Sequence, residues 1–154
     1  MKKIIIVVLV FFNCAGIKPT IVEDKEVVIL KNIVLKQHHD HGDFLYLAAS
    51  LKHPDSVIIS FVSQTPDWNY SKNKNNPTFL KLDKAMIKLG SPEAVTLIED
   101  DRYYEKLYFK QPIKLLQHIA NAKDVQLIIS NNSYVIENNQ IKSIKDFYNR
   151  VLNN

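Results

Sequence analysis

The chain has 154 residues and a formal net charge of +4, with 20 Lys and Arg against 16 Asp and Glu. That length holds one domain with a single sizeable core, and its lysines are spread among acidic residues rather than clustered, which argues against nucleic acid as a partner. The glycines are Gly16, Gly42 and Gly90, and no phosphate-cradling loop, dinucleotide fingerprint or G-x-S-x-G elbow can be assembled from that spacing.

Lys2 and Lys3 precede an unbroken apolar run, Ile4 to Phe12, and then the only cysteine, Cys14. The run is roughly half of the ~20 residues a helix needs to cross a hydrocarbon core. An export signal is therefore expected rather than a permanent span. Val10-Phe11-Phe12-Asn13-Cys14-Ala15 resembles the lipobox of a bacterial lipoprotein signal peptide. The resemblance implies that a peptidase removes residues 1–13, that the Cys14 thiol carries a diacylglyceryl group, and that the freed amino group is acylated, palmitate being the expected chain. One fourteen-carbon chain binds a membrane with a constant on the order of 10⁴ M⁻¹, and each further buried methylene adds about 0.8 kcal/mol, so two or three chains would hold a domain on a bilayer. The implied address is the bacterial cell envelope. Ala15 is not the Asp that retains some lipoproteins at the inner membrane, which favours the outer one. With a single cysteine, no intramolecular disulfide can form.

Residues 14–25 read as the lipidated cysteine and a tether reaching up to roughly 36 Å, and residues 26–154 as one α+β domain. Strands are expected at Glu26–Gln37, apolar on both faces at its start, then at Asp43–Lys52 and Ser56–Thr65, joined by a turn at His53-Pro54-Asp55-Ser56. Gln64 to Thr78 is the longest irregular stretch. A hairpin follows, Phe79–Leu82 and Ala85–Leu89 turning at Asp83-Lys84, and then short strands at Ala94–Ile98 and Arg102–Lys110. Pro112 suits a first helical position and opens an amphipathic helix through Ala122. Val125–Ser130 and Tyr134–Glu137 make a second hairpin around Asn131-Asn132. A closing helix spans about Gln140–Leu152, with Ile141, Ile144, Phe147, Tyr148 and Val151 at helical spacing. The expected architecture is mainly antiparallel sheet, six to eight strands, with two amphipathic helices in the C-terminal third packed on one face.

The sharpest chemical cluster is His38-His39-Asp40-His41-Gly42-Asp43. In an extended chain His39 and His41 point to one side and His38 and Asp40 to the other, so two imidazoles could reach one metal with a carboxylate nearby; the candidate ligands for zinc or another divalent metal are His38, His39, His41 and Asp43. The order resembles part of the H-x-H-x-D-H motif of metallo-β-lactamase-like hydrolases, but Lys36 stands at the first histidine position, and the segment reads more simply as a solvated hairpin loop. Glu99, Asp100 and Asp101 read as an acidic turn, and His118 as a solvent-facing helix residue. Tyr104, Lys106, Tyr108 and Lys110 line one strand face, a mix suited to solvent or, in a minority reading, to carbohydrate or protein. Trp68 and Tyr70 are the candidate interaction loop, able either to anchor a partner or to fold back over the sheet.

No catalytic motif is assembled and no cofactor is required. The sequence therefore supports a membrane-anchored envelope lipoprotein that acts as a non-enzymatic binding module for a protein or glycan, with the lipid bilayer as partner through Cys14. The alternative is a metal-binding protein or envelope enzyme using His38 to Asp43.

Overall fold

The computed structural model describes residues 17–38, 41–65, 70, 77–99 and 102–153. Cys14, His39, Asp40 and Trp68 lie outside them, as do the side chains of His38 and His41. Among the described residues the chain forms β1 (Thr20–Glu23), β2 (Val27–His38), β3 (His41–Ser50), β4 (Ser56–Thr65), β5 (Thr78–Leu82), β6 (Ala85–Gly90), β7 (Glu93–Glu99), β8 (Arg102–Pro112), α1 (Lys114–Asn121), β9 (Val125–Ile129), β10 (Asn132–Ile136) and α2 (Asn138–Asn153). The α+β class and the antiparallel pairing are as expected. The strand count and the helix placement are not: there are ten strands, in two sheets.

The first sheet has six strands in the order β1-β2-β3-β4-β8-β7, the second four in the order β10-β9-β5-β6. Alternation along the central strands of the first sheet sends one set of side chains inward, and register stacks them in rows across β3, β4 and β8. One row is Leu47, Ile59 and Phe109, and the next is Leu45, Phe61 and Leu107. All six are at most 4% exposed. The second sheet lays Leu80, Leu127 and Tyr134 in one row and Leu82, Val125 and Ile136 in another, and these pack with the first set in one continuous core.

The second sheet occupies much of the face expected to carry helices. Instead, α2 lies against β2, and α1 lies against α2. Each helix contributes an apolar stripe, Leu115, Leu116 and Ile119 from α1 and Ile141, Ile144, Phe147 and Val151 from α2. Gln140 fixes the start of α2: its Nε2 donates to the Val34 carbonyl at 2.8 Å, and its Oε1 accepts the Glu137 N–H at 2.9 Å. Pro112 closes β8 rather than opening α1, whose N-cap is Ile113.

Residues 20–23, read from sequence as tether, are β1, paired with β2 from Thr20 against Lys31 to Glu23 against Val28. β2 itself carries two irregularities, between Leu30 and Ile33 and between Val34 and Lys36. At the first, Asn32 takes φ 64°, a left-handed conformation that Asn tolerates better than most residues. The extra residue restores the inward aim, so Leu30 and Ile33 are both fully buried although three positions apart.

The second irregularity bears on Gly42, which pairs with Gln37 just beyond it. A Cβ on Gly42 would lie 2.7 Å from the Lys36 carbonyl oxygen and 3.1 Å from the Phe44 ring. Gly42 is thus a strand residue chosen for close backbone approach, not a loop-tip glycine. Gly42→Ala is expected to cost about 1–3 kcal/mol, the usual range for an overpacked site. Urea unfolding at neutral pH checks this, and an unchanged midpoint would remove the steric argument.

Candidate functional site

Two arrangements gather chemistry-bearing side chains: one sealed in the core, one open on the sheet's outer face. The sealed one continues the inward rows. Beyond Leu45, Phe61 and Leu107, the next register row is Asp43, Ser63 and Glu105, which are 7%, 0% and 0% exposed. A carboxyl group this deep is tolerated only when hydrogen bonds replace its lost water. Ser63 Oγ–H donates to Asp43 Oδ1 at 2.6 Å, and the Tyr134 hydroxyl donates to Asp43 Oδ2 at 2.7 Å. The Tyr70 and Tyr134 hydroxyls are hydrogen-bonded to each other at 2.5 Å, and the Tyr70 oxygen also accepts from Asn132 Nδ2 at 3.0 Å. The Tyr70 backbone N–H is shared between Glu105 Oε1 and Oε2, at 2.9 and 3.1 Å. The chain of bonds runs from β10 through Tyr70 to β3 and β4, so it ties the second sheet to the first.

Both phenols are held protonated. Burial is the main cause for Tyr70; the Asp43 and Glu105 carboxyls add to it, and its bonds to Tyr134 and Asn132 oppose it. For Tyr134 burial again comes first, and its bonds to Tyr70 and Asp43 push the same way, far above the ordinary value. Tyr134 therefore acts as a permanent donor to Asp43. With both Asp43 oxygens engaged and little solvent access, a substrate reaches this cluster only if the core opens. Its evident work is to fix how the two sheets meet.

Asp43, one of the four candidate metal ligands, is thus committed inside the core, on the inward face of β3. Among the described residues, no group of three or more His, Cys, Asp or Glu is placed to hold a metal ion. Tyr70, from the candidate interaction loop, is 6% exposed and edge-on to Phe61, with ring centroids 5.0 Å apart. Ser63, Glu105 and Tyr134 are not among the site residues expected from sequence, although a signal exists. Glu105 interrupts the inward set Tyr103, Leu107 and Phe109, and Ser63 extends Val57, Ile59 and Phe61 by one more alternate position.

The open arrangement is a groove of about 370 Å³ on the opposite face of the first sheet. Its floor comes from two register rows, Tyr46–Ser60–Tyr108 across β3, β4 and β8, and Val62–Lys106 across β4 and β8. Tyr104 completes the aromatic wall, its hydroxyl accepting from Gln64 Nε2 at 3.1 Å, and Leu97 and Glu99 of β7 form the rim. The tyrosines are half-buried rather than free in solvent, and burial raises the Tyr46 pKa. Lys106 and Glu99 place both charge signs beside three phenols. Another concavity, near 690 Å³, lies at the turns around Glu23, Asp24, Lys25, Leu51 and Lys52, and only Leu51 gives it an apolar wall.

No described helix is long and apolar enough to cross a membrane. Searches of protein-family models, of curated proteins and of solved structures found no match to this chain.

Proposed function

We propose that this protein is a lipid-anchored bacterial envelope protein and a non-enzymatic binding module, which takes a glycan in the tyrosine groove of its first sheet. The observation that carries the binding half is the groove: a concave volume in the range of ligand sites, walled by three half-buried tyrosines that present flat faces at little entropic cost. Sugar rings offer apolar faces to such walls and hydroxyls to Ser60, Lys106 and Glu99. The anchor rests on the lipobox resemblance of residues 10–15. With β1 starting at Thr20, the link from Cys14 spans roughly 20 Å at most, which holds this edge of the domain close to the bilayer.

Intact mass of protein purified from bacterial membranes tests the anchor. The expected chain begins at Cys14 and carries a diacylglyceryl-sized addition that Cys14→Ser lacks; a free thiol on a chain starting elsewhere would end that half. Titration with peptidoglycan fragments and lipopolysaccharide oligosaccharides tests the groove. At least one is expected to bind saturably, and Tyr108→Ala to weaken it tenfold or more while the unfolding midpoint stays within the small range of surface changes. Equal binding by the variant would rule the groove out.

A further inference from the structure

Among the described residues the two sheets have four edge strands, β1, β7, β10 and β6, and three of them carry some protection. An edge presents unpaired N–H and C=O groups, which proteins blunt with shortness, charged side chains (lysine above all), proline, bulges or cover. β1 has only four residues, β6 carries Lys88, and β10 packs near β2. β7 is neither short nor, among the described residues, covered, and its only charged side chains are the glutamates at its two ends. Its seven residues, Glu93-Ala94-Val95-Thr96-Leu97-Ile98-Glu99, contain no Lys, Arg or Pro and pair with β8 in one unbroken register.

β7 is also bare on both faces. Six of its seven residues are exposed and only Leu97 is half-buried, with Val95 at 45% and Ile98 at 64%. Ala94 and Thr96 sit beside Leu107 and Glu105, on the inward side of the sheet, yet both are exposed. The strand therefore extends past the second sheet as a flange. Strand-forming residues of this kind, left unpaired in water, are a template for another strand.

We propose that the free edge of β7 binds an extended segment of a partner protein, added as a further strand of the first sheet, and that the segment carries a basic residue at each end of an apolar centre. Charge complementarity selects this occupant. On the outer face β7 reads Glu93, Val95, Leu97, Glu99: acid, apolar, apolar, acid. Directly opposed residues on paired strands share a face and interact, with opposite charges favourable and like charges not. A second copy, overlapped along the full strand with Thr96 facing Thr96, would set Glu93 against Glu99 at both ends. The acids thus disfavour a copy and favour a base. Main-chain hydrogen bonds would supply the affinity and the alternate side chains the selectivity. The lipid anchor proposed above adds only an orientation: β1 and β7 are opposite edges of the sheet, five strand spacings or about 24 Å apart. The edge itself carries the argument whether or not the anchor or the glycan groove holds.

The test uses the full chain in detergent and two labelled probes, acetyl-Lys-Thr-Val-Thr-Val-Thr-Lys-amide and its counterpart with glutamate at both ends. Fluorescence anisotropy at low salt is expected to show the basic probe binding at least tenfold more tightly than the acidic one. The double variant Glu93→Lys with Glu99→Lys is expected to reverse that preference, and both positions are exposed enough for the fold to survive. Hydrogen exchange with the basic probe bound should slow amides of β7. Equal binding of the two probes, binding of neither, or an unreversed preference in the variant would overturn the proposal. So would a dimer of the wild type that protects β7 without any peptide.

Discussion

Phe61→Ala is expected to lower the unfolding free energy by about 3–5 kcal/mol, the range for truncating a large core aromatic. Phe61 is fully buried, and it stands in register between Leu45 and Leu107. Its ring also meets Tyr70 edge-on at 5.0 Å and Tyr134 at 5.6 Å with the planes 47° apart. Such aromatic pairs add about 0.5–1.5 kcal/mol beyond the area they bury. Truncation would therefore loosen the two phenols whose hydrogen bonds join the sheets, as well as leave a cavity. Small domains have only about 5–15 kcal/mol to lose, so the variant should unfold at a much lower urea concentration with a similar slope. Phe61→Leu should lose distinctly less, because it keeps most of the volume. A cost below about 1 kcal/mol for the alanine variant would mean that the core closes over the gap, and the ring would not be the junction described above.

The same residues show what the sequence reveals and what it hides. β4 and the β5–β6 hairpin were legible to the residue or nearly so, because alternation and a two-residue turn at Asp83-Lys84 are local signals; Asp83 takes φ 52°. The apolar faces of α1 and α2 were legible for the same reason. β1 was not, since Thr20-Ile21-Val22-Glu23 is too short to show a period and is a strand only through its pairing with β2. Nor was the division into two sheets: β5 pairs with β9, more than forty residues away in the chain, and nothing local announces such a partner. In β2 the bulge at Asn32 hid the inward set by breaking the alternation, which made both faces look apolar. The core cluster is hidden for a different reason. In the sequence Asp43 stands beside histidines, where a carboxylate suggests a metal, whereas its strand places it with Leu45 and Leu47 on the inward face. A polar residue at an inward position on each of three neighbouring strands is a readable pattern once the register is known. The register is what one sequence does not contain. The groove is half legible, for alternation alone puts Tyr104, Lys106 and Tyr108 on one face, but Tyr46 and Ser60 join them only through pairing.

The second large effect is expected in alkali. Tyr70 and Tyr134 are 6% and 5% exposed, and both have pKa values raised in the folded chain, Tyr134 far above the ordinary 10.0. In the unfolded chain they ionise near 10. Above that pH the unfolded state releases protons that the folded state retains, so it binds fewer and stability falls as pH rises. The contribution is intact below about pH 10 and lost on the way up toward the folded values. A tyrosine that stays protonated gives about 1.4 kcal/mol per pH unit, so Tyr134 alone removes roughly 3 kcal/mol between pH 10 and 12 and Tyr70 adds to the loss in the same direction, a large share of what a domain of ordinary stability has. Urea titrations at pH 9, 10, 11 and 11.5, with phenolate absorbance followed in parallel, check this. Tyr134→Phe isolates one of the two groups. At neutral pH it should cost about 1–3 kcal/mol, because Asp43 and Tyr70 each lose a partner in the core. It also deletes one of the two alkaline penalties, so its deficit against the wild type should shrink by about 1.4 kcal/mol per unit above pH 10. A deficit that stayed constant from pH 9 to 11.5 would show that Tyr134 ionises in place, and the donor role assigned to it toward Asp43 would have to be given up.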